Sequence, residues 1–428
     1  MDSREVVILN HDGRENWESI LIRGALWYHG IPSRLARFGD LPERKRHALA
    51  VIIKKDSGNI EGLPGLDTSE CNVVLAGRSV TYEYLQRKLS PEGGQILIYG
   101  EPYALITKLV QQPKLMDDLR GKASLGPLLH PARYRGPRSE NTNTRNTHDK
   151  ALILTSLGCQ KKCGYCSYGA TFSSLYGKRF RRRSRPWMNI FDEMVDSLER
   201  GIERFIIVAD QFLAREPEQN REIELLSKNW HADRLGRVRL VFTCSPADLM
   251  KNRSLIRLMN QRFDLHPILS IDSLDEKTLG LFDLDYDPQG ALKAARFLSS
   301  LRLPFRINYI FVRPGATLEG IQEEFRNLRS LAAMTTYMSL HQKLALAQDI
   351  FLETLQIRPC SPLARKPEAK NFPATTTGSM PVRLLPIIEE AVKREREVLQ
   401  KDGDSCGSRD PLQSIVESVY QEVQKWKS

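Results

Sequence analysis

Apolar residues fall in short clusters separated by polar stretches along most of the chain. Glu5-Val-Val-Ile-Leu9 has the length and β-branched character of a buried strand. Trp17–His29 carries a helical spacing that Gly30 can stop in the left-handed conformation. Apolar runs at Ser33–Phe38, Ala48–Ile53, Asn72–Ala76 and Gln95–Tyr99 predict four more strands, and Val80–Lys88 and Pro102–Gln111 predict helices. Short apolar strands joined by crossover connections predict a doubly wound (Rossmann-like) parallel sheet, which binds ligands at the carboxyl ends of its strands. Those ends are Asn10–Asn16, Lys54–Gly65, Gly77–Ser79 and Gly100–Glu101.

Between Gln112 and Lys150 the pattern is lost. The stretch is rich in Pro, Gly, Asn, Thr and Arg, and reads as a linker. From Ala151 a second α/β rhythm begins. Its predicted strands are Ala151–Thr155, Arg204–Ala209, Arg239–Thr243, Pro267–Ile271, Arg306–Phe311 and Thr354–Ile357. Predicted helices between them include Ile190–Arg200, Glu216–Lys228, Leu255–Asn260, Gln289–Ser299 and Leu318–Leu331. Six strand–helix units suit a partial (β/α)6 barrel better than a closed eight-stranded one. After Lys366 come a polar loop and two helical segments, Val382–Gln400 and Leu412–Lys425.

Composition supports two cores: 428 residues with 41% hydrophobic content suffice for one large domain and a smaller one. The expected class is therefore α/β, with a doubly wound domain over 1–112, a linker over 113–150, a partial barrel over 151–366 and a helical extension over 367–428. No apolar run approaches the length of a membrane span, and the first residues lack a signal-peptide pattern, so a cytoplasmic protein is expected. The net charge of +11 fits nucleic acid, an anionic small molecule or a cofactor phosphate as partner. Six of the positive charges lie between Lys178 and Arg185; such a run is more often a solvated face than a nucleic-acid contact. The eight histidines are scattered, and His266 and His341 read as surface or packing residues. No phosphate-binding P-loop is present.

The candidate chemistry lies in the cysteines. Seven in a chain of this length do not make a disulfide framework, yet three fall in Cys159-Gln-Lys-Lys-Cys163-Gly-Tyr-Cys166, directly after the first predicted barrel strand. Barrels place their chemistry at that end of a strand. Gly158 and Gly164 let the loop curl. Three thiolates on a four-iron cubane leave one iron open, and an open iron can chelate an amine and a carboxylate. Zinc, a disulfide pair or buried thiols are the other readings of the same residues; zinc usually takes four ligands.

The spacing C-x-x-x-C-x-aromatic-C, with Tyr165 at the aromatic position, resembles the radical S-adenosylmethionine (SAM) superfamily. The resemblance continues through Leu157-Gly158, Ser167-Tyr168, Gly177-Lys178-Arg179 and Arg183-Ser184-Arg185-Pro186. It extends through Ile207–Phe212, Ser270–Ser273 and Tyr309–Thr317 to Arg358–Leu363, where Cys360 replaces a glycine. The resemblance implies a [4Fe-4S] cluster on Cys159, Cys163 and Cys166. It implies SAM contacts from Tyr165, Asp210 (amine), Ser245, Asp272 (ribose), Asn308, Arg313 and Gly315. Cys360 and Cys244 are the only catalytic candidates, each also readable as a buried inert thiol. The order of domains resembles radical SAM enzymes with an N-terminal cobalamin-binding domain. Gly100-Glu101-Pro102-Tyr103 matches part of that domain's G-E-x-E segment, the D-x-H-x-x-G motif is absent, and Lys54-Lys55-Asp56 is charged for a corrin face. Cobalamin binding, a retained scaffold and a substrate-shaping domain all stand.

The implied activity is one-electron cleavage of SAM to a 5′-deoxyadenosyl radical that modifies a small natural-product-type substrate, with cobalamin-dependent C-methylation as one outcome. A cobalamin-free rearrangement, epimerisation or bond-forming reaction is the alternative, and an RNA-modifying or RNA-binding protein the alternative of another class. The implied partners are a small-molecule substrate and a one-electron donor such as flavodoxin or ferredoxin, with neither nucleic acid nor membrane expected.

Overall fold

The structure is a computed structural model. It describes residues 6–10, 17–37, 49–53, 72–76, 78–86, 95–129, 150–310, 318–335, 361–365 and 411–425, with a few single positions between 337 and 397. The chain forms two compact units: residues 1–148, 152–157 and 171–200 make the first, and residues 149–151, 158–170 and 201–428 the second.

The first unit begins with β1 (Val6–Asn10), α1 (Trp17–Tyr28), β2 (Ser33–Arg37), β3 (Leu49–Ile53), β4 (Asn72–Ala76), α2 (Arg78–Leu85) and β5 (Ile96–Gly100). α3 (Tyr103–Gln111), α4 (Pro113–Leu119) and β6 (Ala123–Gly126) come next. The strands form one parallel sheet in the order β2-β1-β3-β4-β5-β6. Val7, Leu9, Ile52, Val73, Leu75, Val80 and Leu97 pack into one core cluster. α1 adds Leu21, Ile22, Ala25 and Leu26, all buried, the spacing of one helical stripe. The order reverses between β1 and β3, the switch point at which such sheets bind ligands; its loops, 11–16 and 54–71, lie outside the described residues. α4 and β6 occupy the start of the stretch read as linker. Both are short, and β6 is an edge strand of only half-buried residues before Gly126, so neither leaves a sustained hydrophobic period. The first unit also holds most of β7 (Lys150–Leu157), the end of α5 (Ser167–Tyr176), β8 (Arg183–Ser184), which pairs antiparallel with β7, and α6 (Trp187–Leu198).

In the second unit β9 (Arg204–Ala209), β10 (Arg239–Cys244), β11 (Asp264–Asp272) and β12 (Arg306–Tyr309) run parallel in that order. Their burial alternates. Leu240, Phe242 and Cys244 of β10 and Leu265, Leu269 and Ile271 of β11 are buried on one face, whereas Val241, His266 and Ile268 on the other are only partly so. Between the strands lie α7 (Arg221–Asn229), α8 (Ala232–Leu235), α9 (Pro246–Lys251), α10 (Arg253–Arg262), α11 (Glu276–Leu281) and α12 (Pro288–Ser300). Side-chain caps start three of them: Ser245 accepts from the Asp248 amide (3.2 Å), Asp275 from that of Thr278 (3.0 Å) and Asp287 from that of Gly290 (2.5 Å). α13 (Leu318–Ala333) carries α14 (Pro411–Lys425) through Leu412, Ile415, Val416 and Val419. The predicted strand Thr354–Ile357 and nearly all of the predicted helix Val382–Gln400 lie outside the described residues. No helix among the described residues is long and apolar enough to cross a membrane.

Candidate active site

β7 ends at Leu157, and Gly158 turns the chain in the left-handed region (φ +85°), open to glycine without steric cost. The loop beyond it is tied at four points. The Gly158 amide donates to Asp210 Oδ2 at 2.8 Å, and the Tyr168 hydroxyl donates to the same oxygen at 2.8 Å. The Gln160 amide donates to Gln211 Oε1 (3.3 Å), and Gln211 Nε2 to Asp248 Oδ2 (3.3 Å). Lys161 Nζ reaches Ser245 Oγ (2.6 Å), Asp248 Oδ2 (3.1 Å) and Asp285 Oδ1 (3.4 Å). The Gly164 amide donates to the Phe282 carbonyl (2.5 Å), while its own carbonyl accepts from the Leu363 amide (2.6 Å). A Cβ on Gly164 would sit 3.0 Å from the Leu281 carbonyl oxygen, and one on Gly169 2.6 Å from that of Lys161. The loop therefore needs both glycines for close backbone approach as well as for turning.

This frame presents Cys159, Cys163 and Cys166 as free, half-buried thiols. Burial pushes the Cys159 thiol up to about 12 and that of Cys163 higher still, and the neighbouring Cys166 adds to both shifts. The Cys159 and Cys163 thiols stay protonated until a metal displaces the proton. Among the described residues no three His, Cys, Asp or Glu side chains are disposed around a single metal ion. A four-iron cluster spreads its ligands over separate irons, and the three soft thiolate donors suit it.

β11 supplies the other half of the site. Its register against β12 shifts between Ser270 and Asp272, and Asp272 lies in the left-handed region (φ 59°), uncommon for a residue with a Cβ. The Tyr165 hydroxyl donates to Asp272 Oδ1 (3.1 Å) and the Tyr286 hydroxyl lies 3.2 Å from Asp272 Oδ2, while Tyr286 also donates to the Ile271 carbonyl. Burial first, and then the Asp272 charge, hold both phenols well above the usual tyrosine range. Tyr165 packs edge-on to Phe282 (5.2 Å), beside an apolar cluster of Phe282, Ile310 and Leu363. Below Asp272, Asn308 Nδ2 donates to Ser270 Oγ (3.3 Å).

The structure thus gathers Cys159, Cys163, Cys166, Tyr165, Asp210, Ser245 and Asp272 around one loop. Ser245 caps α9 and accepts from Lys161, so its hydroxyl already serves the fold. Cys244 is buried (5% exposed) beneath, with its thiol pushed up by burial. Arg313, Gly315 and Cys360 lie outside the described residues. Sequence reasoning missed Lys161, Gln211, Asp248 and Tyr286. Lys161 lay inside the cysteine motif, but its carboxylate partners are distant in sequence. His266 bonds Asp264 (3.1 Å) inside a cavity.

The Lys178–Arg185 run is not one solvated face. Lys178, Arg179 and Arg181 are exposed. Arg182 and Arg185 are buried, and Arg183 and Arg185 pair with Glu101 (2.5 Å) and Glu193 (2.6 Å).

The family model described as the Radical SAM superfamily matches residues 153–328. That stretch contains the whole cysteine loop and strands β9 to β12. Residues 153–328 are a radical SAM domain. A chain with such a domain is an enzyme, and the domain implies a [4Fe-4S] cluster and SAM as cofactors. No curated protein matches the sequence. Among solved structures, the fold is similar to that of the cobalamin-dependent SAM radical enzyme OxsB with aqua-cobalamin and SAM bound: 10% identity, 100% of this chain, 71% of that one, TM-score 0.70. It is also similar to the radical SAM methyltransferase TsrM from Kitasatospora setae with tryptophan and a SAM analogue bound: 15% identity, 77% of this chain, 71% of that one, TM-score 0.57. These likenesses establish the fold: an N-terminal Rossmann-like domain followed by a radical SAM domain.

Proposed function

We propose that Cys159, Cys163 and Cys166 hold three irons of a [4Fe-4S] cluster and that the site binds SAM on the fourth. When bound, these groups supply a 5′-deoxyadenosyl radical by one-electron cleavage of the sulfonium, with the protein orienting them and excluding side reactions. The observation that carries this reading is the cysteine loop of the radical SAM domain, pinned by Asp210, Lys161 and Tyr165 with its three thiols free. Asp210 fixes the start of the loop and offers its carboxylate to the SAM amine. Asp272, oriented by two tyrosines, faces the ribose, and Asn308 stands one strand over. Ser245, Arg313 and Gly315 complete the SAM-binding set. A flavodoxin or ferredoxin in the cytoplasm supplies the electron, and the substrate is a small natural-product-type molecule. The domain limits that go with this reading are 1–112, 113–150, 151–366 and 367–428.

For the reaction itself we propose cobalamin-dependent C-methylation. The cobalamin is supported by the likeness of the chain to the cobalamin-dependent enzyme OxsB and by the doubly wound sheet of the first unit, and the methyl transfer by the likeness to the methyltransferase TsrM. A cobalamin-free radical reaction is the second reading, favoured by Glu101: the carboxylate of the partial G-E-x-E segment is engaged by Arg183 and by the Leu129 amide (2.9 Å). Anaerobic reconstitution with iron and sulfide tests the first claim. The wild type gains a brown chromophore and cleaves SAM, and Cys163→Ala does neither; cleavage that survives in Cys163→Ala overturns it. Hydroxocobalamin then separates the two reactions. Stoichiometric binding with its visible bands supports methylation. Absence of binding, with 5′-deoxyadenosine formed and no S-adenosylhomocysteine, supports the second.

A further inference from the structure

Asp272 sits at the centre of a γ-turn. The Ser273 amide donates to the Ile271 carbonyl, two residues back, at 2.6 Å, and Asp272 between them has φ 59°. A γ-turn with positive φ at its centre is rare and strained. Such strain persists only where the surroundings over-determine it. Tyr165 and Tyr286 hold the turn from the side of the Asp272 carboxylate and the Ile271 carbonyl. Its far side is held by a carboxylate that cluster and SAM binding leave unused.

Glu324 of α13 is fully buried (0% exposed). Ile321, Phe325, Leu328 and Leu331 of the same helix are buried with it, so the position belongs to the core stripe of α13. A carboxylate there is costly unless hydrogen bonds replace its water. Three donors converge on Glu324 Oε1: the Ser273 hydroxyl (2.7 Å), the Tyr309 hydroxyl (2.6 Å) and the Leu274 amide (3.3 Å). The donors are themselves locked. The Tyr309 hydroxyl also accepts from the Leu274 amide (3.1 Å), and the Ser273 hydroxyl from the Asp275 amide (3.1 Å). One turn further along α13, Asn327 Nδ2 donates to the Leu274 carbonyl (3.0 Å). The Ile310 amide, just past β12, donates to the Asp272 carbonyl itself (2.8 Å). An apolar side chain would fill the Glu324 position without the cost of burying charge. Two of the three donors belong to the residues immediately after Asp272, so what the carboxylate secures is the turn.

We propose that Glu324 is a positioning residue for SAM: it holds the γ-turn in the conformation that aims the Asp272 carboxylate at the ribose. The proposal rests on the reading of Asp272 as the ribose contact. The test takes the two halves of SAM apart. 5′-Deoxyadenosine and methionine are titrated separately by equilibrium dialysis against the full reconstituted chain, with iron content measured for each variant. Apparent affinity falls with the fraction of molecules whose turn is correctly set, so Glu324→Leu is expected to weaken 5′-deoxyadenosine about tenfold. Methionine, whose amine and carboxylate go to the open iron, should bind as before, with iron content unchanged. Tyr309→Phe keeps the ring and removes one donor, a milder change that keeps the test decisive if Glu324→Leu does not fold. It is expected to weaken 5′-deoxyadenosine about threefold. Added to Asp272→Asn, either substitution should weaken the nucleoside no further, because residues that act through one another are not additive. Three results would overturn the proposal and leave Asp272 as the ribose contact: nucleoside affinity unmoved by these variants, equal loss of both halves, or effects that add in full to that of Asp272→Asn. Unchanged nucleoside affinity in Asp272→Asn itself would overturn the ribose reading, and the role of Glu324 with it.

Discussion

Two glycines with nearly the same φ close two strands of this protein: Gly100, the last residue of β5, at φ +84° and Gly158, just after β7, at φ +85°. The segments beyond them are opposite in kind. After Gly100 the chain enters a closed polar knot. The Tyr176 hydroxyl accepts from the Glu101 amide (2.7 Å) and donates to the Gly126 carbonyl (2.6 Å), and the Glu101 carboxylate is 2% exposed against Arg183. A Cβ on Gly100 would lie 2.1 Å from the Tyr176 hydroxyl, and one on Gly126 2.0 Å from the Glu101 carbonyl oxygen. After Gly158 the chain enters a loop anchored by side chains, with three thiols left over. The same turn can therefore finish a fold or start a site, and the difference is whether the polar groups beyond it are satisfied by each other or held out for something else. Glu101, the acidic residue that the cobalamin resemblance singles out, falls on the finishing side.

Glu101→Ala puts the largest strain on this contrast. It leaves Arg183, 14% exposed, facing an empty carboxylate site and takes the acceptor from the Leu129 amide. Removing one partner of a buried pair costs about 3–5 kcal/mol, read as a lowered midpoint in urea unfolding. Iron content per folded molecule should not change; a selective loss of iron would break the comparison. Gly100→Ala should come next at about 3 kcal/mol, from left-handed strain of about 1–2 kcal/mol and the displaced tyrosine. Gly158→Ala carries left-handed strain of about 1–2 kcal/mol and should lower iron uptake. Equal effects of the two alanines on both readouts would erase the distinction between the two ends.

Asp272→Asn sharpens it from the other side. Asparagine tolerates the left-handed conformation, so the variant removes charge and leaves the bulge in place. SAM affinity measured by equilibrium dialysis is expected to fall about tenfold, or about 1.4 kcal/mol, with cluster content retained. Unchanged affinity would return Asp272 to a structural role.

How much of this was legible in the residues depends on locality. Strands β1 to β5 and the cysteine loop are local signals, an apolar run or a spacing of three and two residues, and they read directly. β6 was hidden because an edge strand buries little. The ties that shape the site were hidden because they are long-range: Lys161 meets Asp248 and Asp285, and Tyr165 meets Asp272, across about a hundred residues. Nothing in a run of six basic residues tells which will face water. Arg183 and Arg185 are drawn inward by Glu101 and Glu193, one of them remote in sequence. The juxtaposition of Arg204 and Arg239 on β9 and β10 was invisible for the same reason, since only the register brings them opposite each other.

The smallest predicted effect sets the baseline for the others. Arg329 of α13 reaches Glu417 of α14 at 2.6 Å and lies 4.4 Å over the Tyr420 ring. It is as well formed in geometry as the Arg183 pair, yet its side chains are 36% and 44% exposed, so water and salt screen it. Such pairs contribute about 0.2–1 kcal/mol. Hydrogen bonds from Gln421 and Arg329 hold the Glu417 carboxyl below its usual range. A carboxyl depressed on folding adds stability above its unfolded pKa, about 4.3, and loses it as the pH falls through the folded value. Arg329→Ala should therefore cost about 0.5 kcal/mol at pH 7 and progressively less below pH 4, with iron content and SAM affinity unchanged. A loss approaching that of Glu101→Ala would mean that burial does not set the scale, and that the contrast between the two glycine turns has some other cause.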